Sequence, residues 1–136
     1  MIVLDANAAI NIAVGTPEGE ALEALMLEGE RVTAPALLCA ELTHVLEKRI
    51  RGGLSSKSEA VAMGTLCLSM VGEFVSDAEL WEEALAESVR LHHSSYDLFY
   101  FILARRTGST LFTLDKKLQK LCLDNGVNCV FVDEEL

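Results

Sequence analysis

The sequence predicts an α/β fold: a three-layer sandwich with a mainly parallel five-stranded sheet between helices. Three observations carry that expectation. Five short strand-like segments recur along the chain, and each is separated from the next by residues with helical apolar spacing and cap signals. Strands joined through helices pair in parallel, and a parallel sheet needs helices on both faces. The chain of 136 residues is 51% hydrophobic, which suits one domain over residues 1–136 that buries roughly two-thirds of its unfolded surface.

The elements follow in order. Met1–Leu4 is a continuous apolar run ending at an acid, the pattern of a strand buried on both faces. A helix follows from Ala8. Thr16-Pro17 reads as N-cap and first residue of a second helix, closed by Gly29. Arg31–Ala34 is the second strand, stopped by Pro35, and apolar spacing from Ala36 to Arg51 is helical up to Gly52-Gly53. Ser56-Lys57-Ser58-Glu59 is a capping box opening a helix to Val71. Glu73–Val75 is a third strand. Ser76-Asp77-Ala78-Glu79 is a second capping box, and its helix runs to Leu91. After the break at His92-His93, Ser94 or Ser95 caps a helix through Arg106, with Gly108 beyond its end. Thr110–Thr113 is a fourth strand, Asp115 caps a short helix to Asn125-Gly126, and Val127–Val132 is a fifth.

Composition excludes several classes. Mean hydropathy of +0.30 with 2 Pro and 9 Gly fits neither a disordered tail nor a fibrous repeat. The longest unbroken apolar run, Leu98 to Ala104, is far short of a membrane span of about 20 residues. Met1 to Asp5 lacks the basic region of a signal peptide, so a cytoplasmic protein with no membrane partner is expected. Cys39, Cys67, Cys122 and Cys129 form no CxxC pair and read as buried reduced thiols.

The net charge of −10 argues against a nucleic-acid partner until its distribution is considered. All 11 Lys and Arg fall within residues 31–57 and 90–120, which hold only the acids Glu41, Glu47, Asp97 and Asp115. The chain is acidic overall and locally basic.

Ligands of open α/β sheets bind at the carboxyl ends of strands. Asp5 directly follows the first strand, and Asp115 lies two residues beyond Thr113 at the end of the fourth. Each is equally suited to capping the next helix. Asp97, in the first turn of its helix, also suits a capping or dipole role. Glu41 has no such explanation. At about 100° per residue it falls between Leu37 and Val45, inside the apolar arc of its helix. An ionised glutamate there costs several kcal/mol without a partner. No cation is in reach along the helix, and snorkelling to the stripe's edge is the structural alternative. If Glu41 instead meets other carboxylates, two of them ~5 Å apart at an effective dielectric of ~20 repel by about 3 kcal/mol. Protons or a divalent cation relieve such a cluster. Four acids without His or Cys ligands make a hard oxygen site suited to Mg²⁺ or Mn²⁺, whose usual work is attack of water on a phosphodiester.

The ordered set Asp5-Ala6-Asn7, Pro35 with the helix of Glu41, Tyr96-Asp97-Leu98, and Leu111 to Leu118 resembles the PIN-domain ribonucleases. The likeness is to the single-domain type that serves as the toxin of bacterial and archaeal toxin–antitoxin pairs. It implies a PIN-like sheet in which the strands before Asp5 and Asp115 are neighbours. It implies that Asp5, Glu41, Asp97 and Asp115 converge on one or two Mg²⁺ or Mn²⁺ ions, with Asn7 and Thr113 in support. It further implies metal-dependent hydrolysis of RNA, a small inhibitory antitoxin, and a homodimer.

RNA backbone contacts are expected from Lys48, Arg49, Arg51, Arg105, Arg106, Lys116, Lys117 and Lys120, several of which equally suit helix C-termini as ordinary cations. Two rival functions remain. An Asp-based phosphohydrolase would want a second acid two residues after Asp5, where Asn7 stands. Against a non-catalytic PIN-like binding module, all four acidic positions of the resemblance are filled, and a receiver domain lacks its acidic pair and its lysine. His92-His93 reads as a pair bonding helix-terminal carbonyls. Trp81 and the leucines of helix 77–91 read as core or dimer surface.

Overall fold

Ile2, Val3 and Leu4 are each at most 1% exposed, and the strand they form lies inside the sheet. The computed structural model describes residues 1–130. Its elements are β1 (Ile2–Leu4), α1 (Ala6–Val14), α2 (Pro17–Ala24), β2 (Val32–Pro35), α3 (Leu37–Arg51), α4 (Lys57–Ser69), β3 (Glu73–Val75), α5 (Asp77–Leu91), α6 (Ser95–Thr107), β4 (Thr110–Phe112) and α7 (Lys116–Asp124). The strand order is β3-β2-β1-β4, and every pairing is parallel. Leu4 pairs with Phe112, so the carboxyl ends of β1 and β4 are adjacent.

Alternation along the strands divides the core. Ile2, Leu4 and Phe112 pack with Ala8, Ile12, Leu38 and Leu42 of α1 and α3. Val3 and Leu111 pack on the opposite face with Leu80, Leu98, Phe101, Ile102 and Leu118 of α5, α6 and α7. Helices therefore cover both faces of the sheet, as a three-layer sandwich requires.

The expected fifth strand is corrected. Among the described residues the sheet has four strands, and the segment after α7 contributes a single parallel bridge between Leu111 and Cys129. Leu111 N–H donates to Asn128 O at 2.8 Å and Val130 N–H to Leu111 O at 3.1 Å. Val127 N–H is spent on Cys122 O of α7, which shortens the ladder from its start. Residues 131 and 132 of the expected strand lie outside the described residues.

Local chemistry moves several other boundaries. Helix α1 starts at Ala6 because Asp5 is itself its N-cap, accepting from Ala8 N–H at 2.9 Å. Helix α2 stops at Ala24, short of Gly29, and β2 includes Pro35. The Ser56–Glu59 capping box forms in both directions. The Ser76 box does not: Ser76 Oγ accepts from Ala78 N–H, and Asp77 instead accepts from Leu37 N–H at 3.1 Å. That bond caps α3, whose own Ala36 has no side chain to offer. At the α1–α2 corner, a Cβ on Gly19 would overlap the backbone carbonyl of Asn11, so only glycine permits this approach. No described helix is long and apolar enough to cross a membrane.

Candidate functional site

At the carboxyl ends of β1 and β4 opens a cavity of ≈ 540 Å³. Its polar walls are Asp5, Asn7, Glu41, His44, Tyr96, Asp97, Tyr100 and Asp115, and its apolar walls are Ala6, Leu37, Ala40 and Val45. The four carboxylates singled out in the sequence thus share one chamber, though they come from four places in the chain. No Lys or Arg is among the lining residues.

Asp5 is 7% exposed and sits where β1 passes into α1. Burial pushes its carboxyl up to about 7, against the Thr113 hydroxyl and Ala8 N–H that favour the ionised form, with Asp97 and Glu41 adding repulsion. Glu41 lies on α3 between the cavity-lining Leu37 and Val45, where its place in the apolar arc predicts an inward carboxylate. Burial raises its pKa, the Tyr100 hydroxyl opposes that, and Asp97 and Asp77 raise it further. Tyr100, 1% exposed on α6, donates to Glu41 Oε1 at 2.6 Å.

Asp97 stands in the first turn of α6 and meets His93 Nε2 at 2.8 Å. Its pKa is raised by burial, lowered by His93 and raised again by Asp115. Asp115 caps α7 through Lys117 N–H at 2.9 Å and Leu118 N–H at 3.4 Å. Fully buried Thr113 takes Asp115 N–H on its hydroxyl at 3.1 Å and hydrogen-bonds Asp5, so it links two of the acids. Asn7 lines the rim and accepts from Asn11 Nδ2 at 3.0 Å. Capping and lining the cavity are compatible: Asp5 and Asp115 do both.

The donor chemistry suits a hard divalent cation. Every carboxylate is an oxygen donor, no fixed cation lines the chamber, and three of the four are held above the usual carboxylate range. Among the described residues no three acidic, His or Cys side chains already form a metal-holding group. Thr113, Tyr100 and His93 instead hold Asp5, Glu41 and Asp97 individually.

The basic residues expected to meet RNA do not line the cavity. Arg105 donates to Glu83 Oε1 at 2.6 Å and stacks over Phe101, and Arg106 donates to Glu83 Oε2 at 2.8 Å. Arg51 is paired with Glu47, Lys120 with Asp124, and Arg49 Nε reaches Ser55 Oγ at 3.3 Å. Lys48, Lys116 and Lys117 are exposed.

Sequence reasoning missed Tyr100, His93 and His44 as residues of the site. The signals were helical spacings: His93 and Tyr100 lie four before and three after Asp97, and His44 three after Glu41, each on the same face as its acid. Both histidines meet a helix-terminal carbonyl through their backbones: His92, the left-handed cap, and His93 each turn an N–H to Ser88 O, while the His93 ring turns to Asp97. Cys67 and Cys122 are buried thiols as expected, but Cys39 is exposed.

A family model described as PIN domain matches residues 2–123. Ribonuclease VapC12 of Mycobacterium tuberculosis is 32% identical over 122 residues, 87% of this chain and 89% of that protein. Among solved structures, VapBC2 from Rickettsia felis, bound to a DNA fragment from its promoter, superposes with a TM-score of 0.69 at 18% identity. The match covers 98% of this chain and 100% of that one. Mycobacterium tuberculosis VapC20, a toxin that cleaves the sarcin–ricin loop, gives 0.66 at 21% identity over 89% and 95% of the two chains. At those identities the two structures speak to the fold.

Proposed function

The chain belongs to the PIN-domain family, and from that premise we propose that it is a metal-dependent endoribonuclease, the toxin of a toxin–antitoxin pair. The observation that carries this reading is the chamber itself: four carboxylates, no lining cation, and three acids held at raised pKa by burial and mutual repulsion. Asp5, Glu41, Asp97 and Asp115 would hold Mg²⁺ or Mn²⁺, as one or two ions. When bound, such an ion supplies an acidified water and charge stabilisation on the phosphate. The chain's own part is placement. Tyr100 fixes the Glu41 carboxylate, His93 fixes Asp97, and Thr113 fixes Asp5 relative to Asp115. Deep burial of Asp5 also keeps bulk water from screening the charges that meet the substrate.

The reading extends to partners and place. RNA in the cytoplasm is the substrate. A small antitoxin protein would inhibit at the chamber, where an Arg or Lys of the partner can pair with the carboxylates. A homodimer is supported by Trp81, Leu85 and Val89, an exposed apolar stripe along α5.

Incubation of single-stranded RNA with the purified protein tests the proposal. Cleavage is expected with Mn²⁺ and not with EDTA, Mn²⁺ should raise the melting temperature, and Asp97→Asn should lose cleavage while staying folded. Cleavage in EDTA, or none with Mn²⁺ or Mg²⁺, overturns it; the second result would leave a non-catalytic binding module.

A further inference from the structure

Two aromatic side chains in the cavity wall have no part in holding the carboxylates. His44 lies one turn beyond Glu41 on α3 and is exposed. Tyr96 immediately precedes Asp97 on α6, with 60% of its surface exposed. Tyr100, one turn along the same helix, spends its hydroxyl on Glu41, whereas Tyr96 and His44 have no hydrogen-bond or ionic partner among the described residues. Singly exposed aromatics need no explanation, but these two line the same chamber as the acids. The chamber, at ≈ 540 Å³, is many times the about 30 Å³ share of one water, and one or two ions leave most of it open.

Among the described residues, no Lys or Arg of the chamber wall is there to hold RNA: the lining has four carboxylates, and Arg105 and Arg106 are committed to Glu83. What the wall does offer is aromatic faces. Every base has a π-face, and stacking on a side chain is indifferent to the sign of the surrounding charge.

We infer that Tyr96 and His44 form a stacking subsite for an unpaired base next to the phosphodiester held at the carboxylates. The inference rests on the reading of the chamber as an RNA-cleaving site. Paired bases are already stacked on their neighbours, so the subsite selects single-stranded segments. It also fixes register, because Tyr96 is the chain neighbour of Asp97 and a base stacked there sets which phosphate reaches the acids.

The test compares two short oligoribonucleotides of equal length and charge, one with bases throughout and one with an abasic tract. Binding is measured by fluorescence anisotropy in Ca²⁺, with strand integrity checked on a gel. Wild type should bind the base-bearing strand roughly 5- to 150-fold more tightly, the range expected for one stacked base. Tyr96→Ala and His44→Ala should each shrink that ratio, and Tyr96→Phe should retain it. The melting shift with Mn²⁺ should match wild type in Tyr96→Ala, which separates stacking from metal binding. An unchanged ratio in Tyr96→Ala, or equal binding of both strands by wild type, overturns the inference. A protein that never cleaves RNA but keeps a Tyr96-dependent ratio would instead overturn the ribonuclease reading and leave the subsite standing.

Discussion

The two ends of α6 treat carboxylates in opposite ways. At its first turn Asp97 faces Asp5, Glu41 and Asp115 across a chamber without a fixed cation, and burial and repulsion push Asp5, Glu41 and Asp97 toward their protonated forms. At its last turn Arg105 and Arg106 clamp Glu83 and Glu87 of α5. Hydrogen bonds from Arg105 draw Glu83 below its ordinary pKa, and Arg90 does the same for Glu87. The second arrangement also places cations where the helix dipole favours them. Where only packing is at stake, opposite charges meet. In the chamber like charges are held together at a cost in stability, which is the mark of a site shaped for a ligand.

The sharpest way to break the contrast is Asp5→Asn. The amide oxygen keeps the cap on Ala8 N–H, but the proposed metal ligand is lost, and cleavage should fall by roughly three orders of magnitude or more. Stability should move the other way. Asp5 releases its proton near pH 7 when folded and near 3.8 when unfolded, so between those values the folded chain holds the extra proton. Metal-free wild type therefore loses stability as pH rises through this window, and stays flat above it. At pH 8 with EDTA, Asp5→Asn should be more stable by up to about 4 kcal/mol, and at pH 4 little different, as denaturant titration can measure.

Tyr100→Phe should have a middling effect. It leaves the Glu41 carboxylate without its donor, and cleavage should drop about 10- to 100-fold, as for other residues that orient a metal ligand. Stability should fall by about 1–2 kcal/mol while Glu41 is ionised, and by less as acidification protonates it.

Glu83→Gln should do least, about 1 kcal/mol or below, and the loss should shrink with added salt because the pairs are partly solvated. Its pH dependence has the opposite sign to that of Asp5. A lowered pKa gives stability that is present above the ordinary carboxylate value and disappears on acidification. The two ends of α6 thus pull the metal-free protein in opposite directions on acidification: it is stabilised through Asp5 and destabilised through Glu83.

Much of this was legible in the chain. Asp5, Asp97 and Asp115 stand out by position relative to strands and helices, and Glu41 by its angle on an apolar stripe, because both signals are local. Partners across the fold were not legible. Nothing near Glu41 in sequence announces Tyr100, 59 residues away. Arg105 and Arg106 read as RNA contacts because Glu83, 22 and 23 residues earlier, is brought beside them only by the packing of α5 on α6. The fifth strand was misjudged for a similar reason: Val127–Val130 is apolar enough for a strand, but its first N–H returns to α7. The Ser76 box fits the sequence rule, yet neighbouring Asp77 serves the start of α3 and the box does not close.

The bare Cα of Gly19 carries a genetic consequence. It lies 14 residues from Asp5 and holds no reacting group, yet any side chain there would strike the backbone of Asn11 and force α2 away from α1. Helix α1 is capped by Asp5 and carries Asn7 in its first turn. A lesion at the corner would therefore be felt at the chamber rim without altering any residue of it. Among spontaneous mutants selected for loss of activity, Gly19→Ser and Gly19→Asp should appear alongside substitutions of the four acids. They should be the ones that regain function at lower temperature, since their fault is in alignment and not in chemistry.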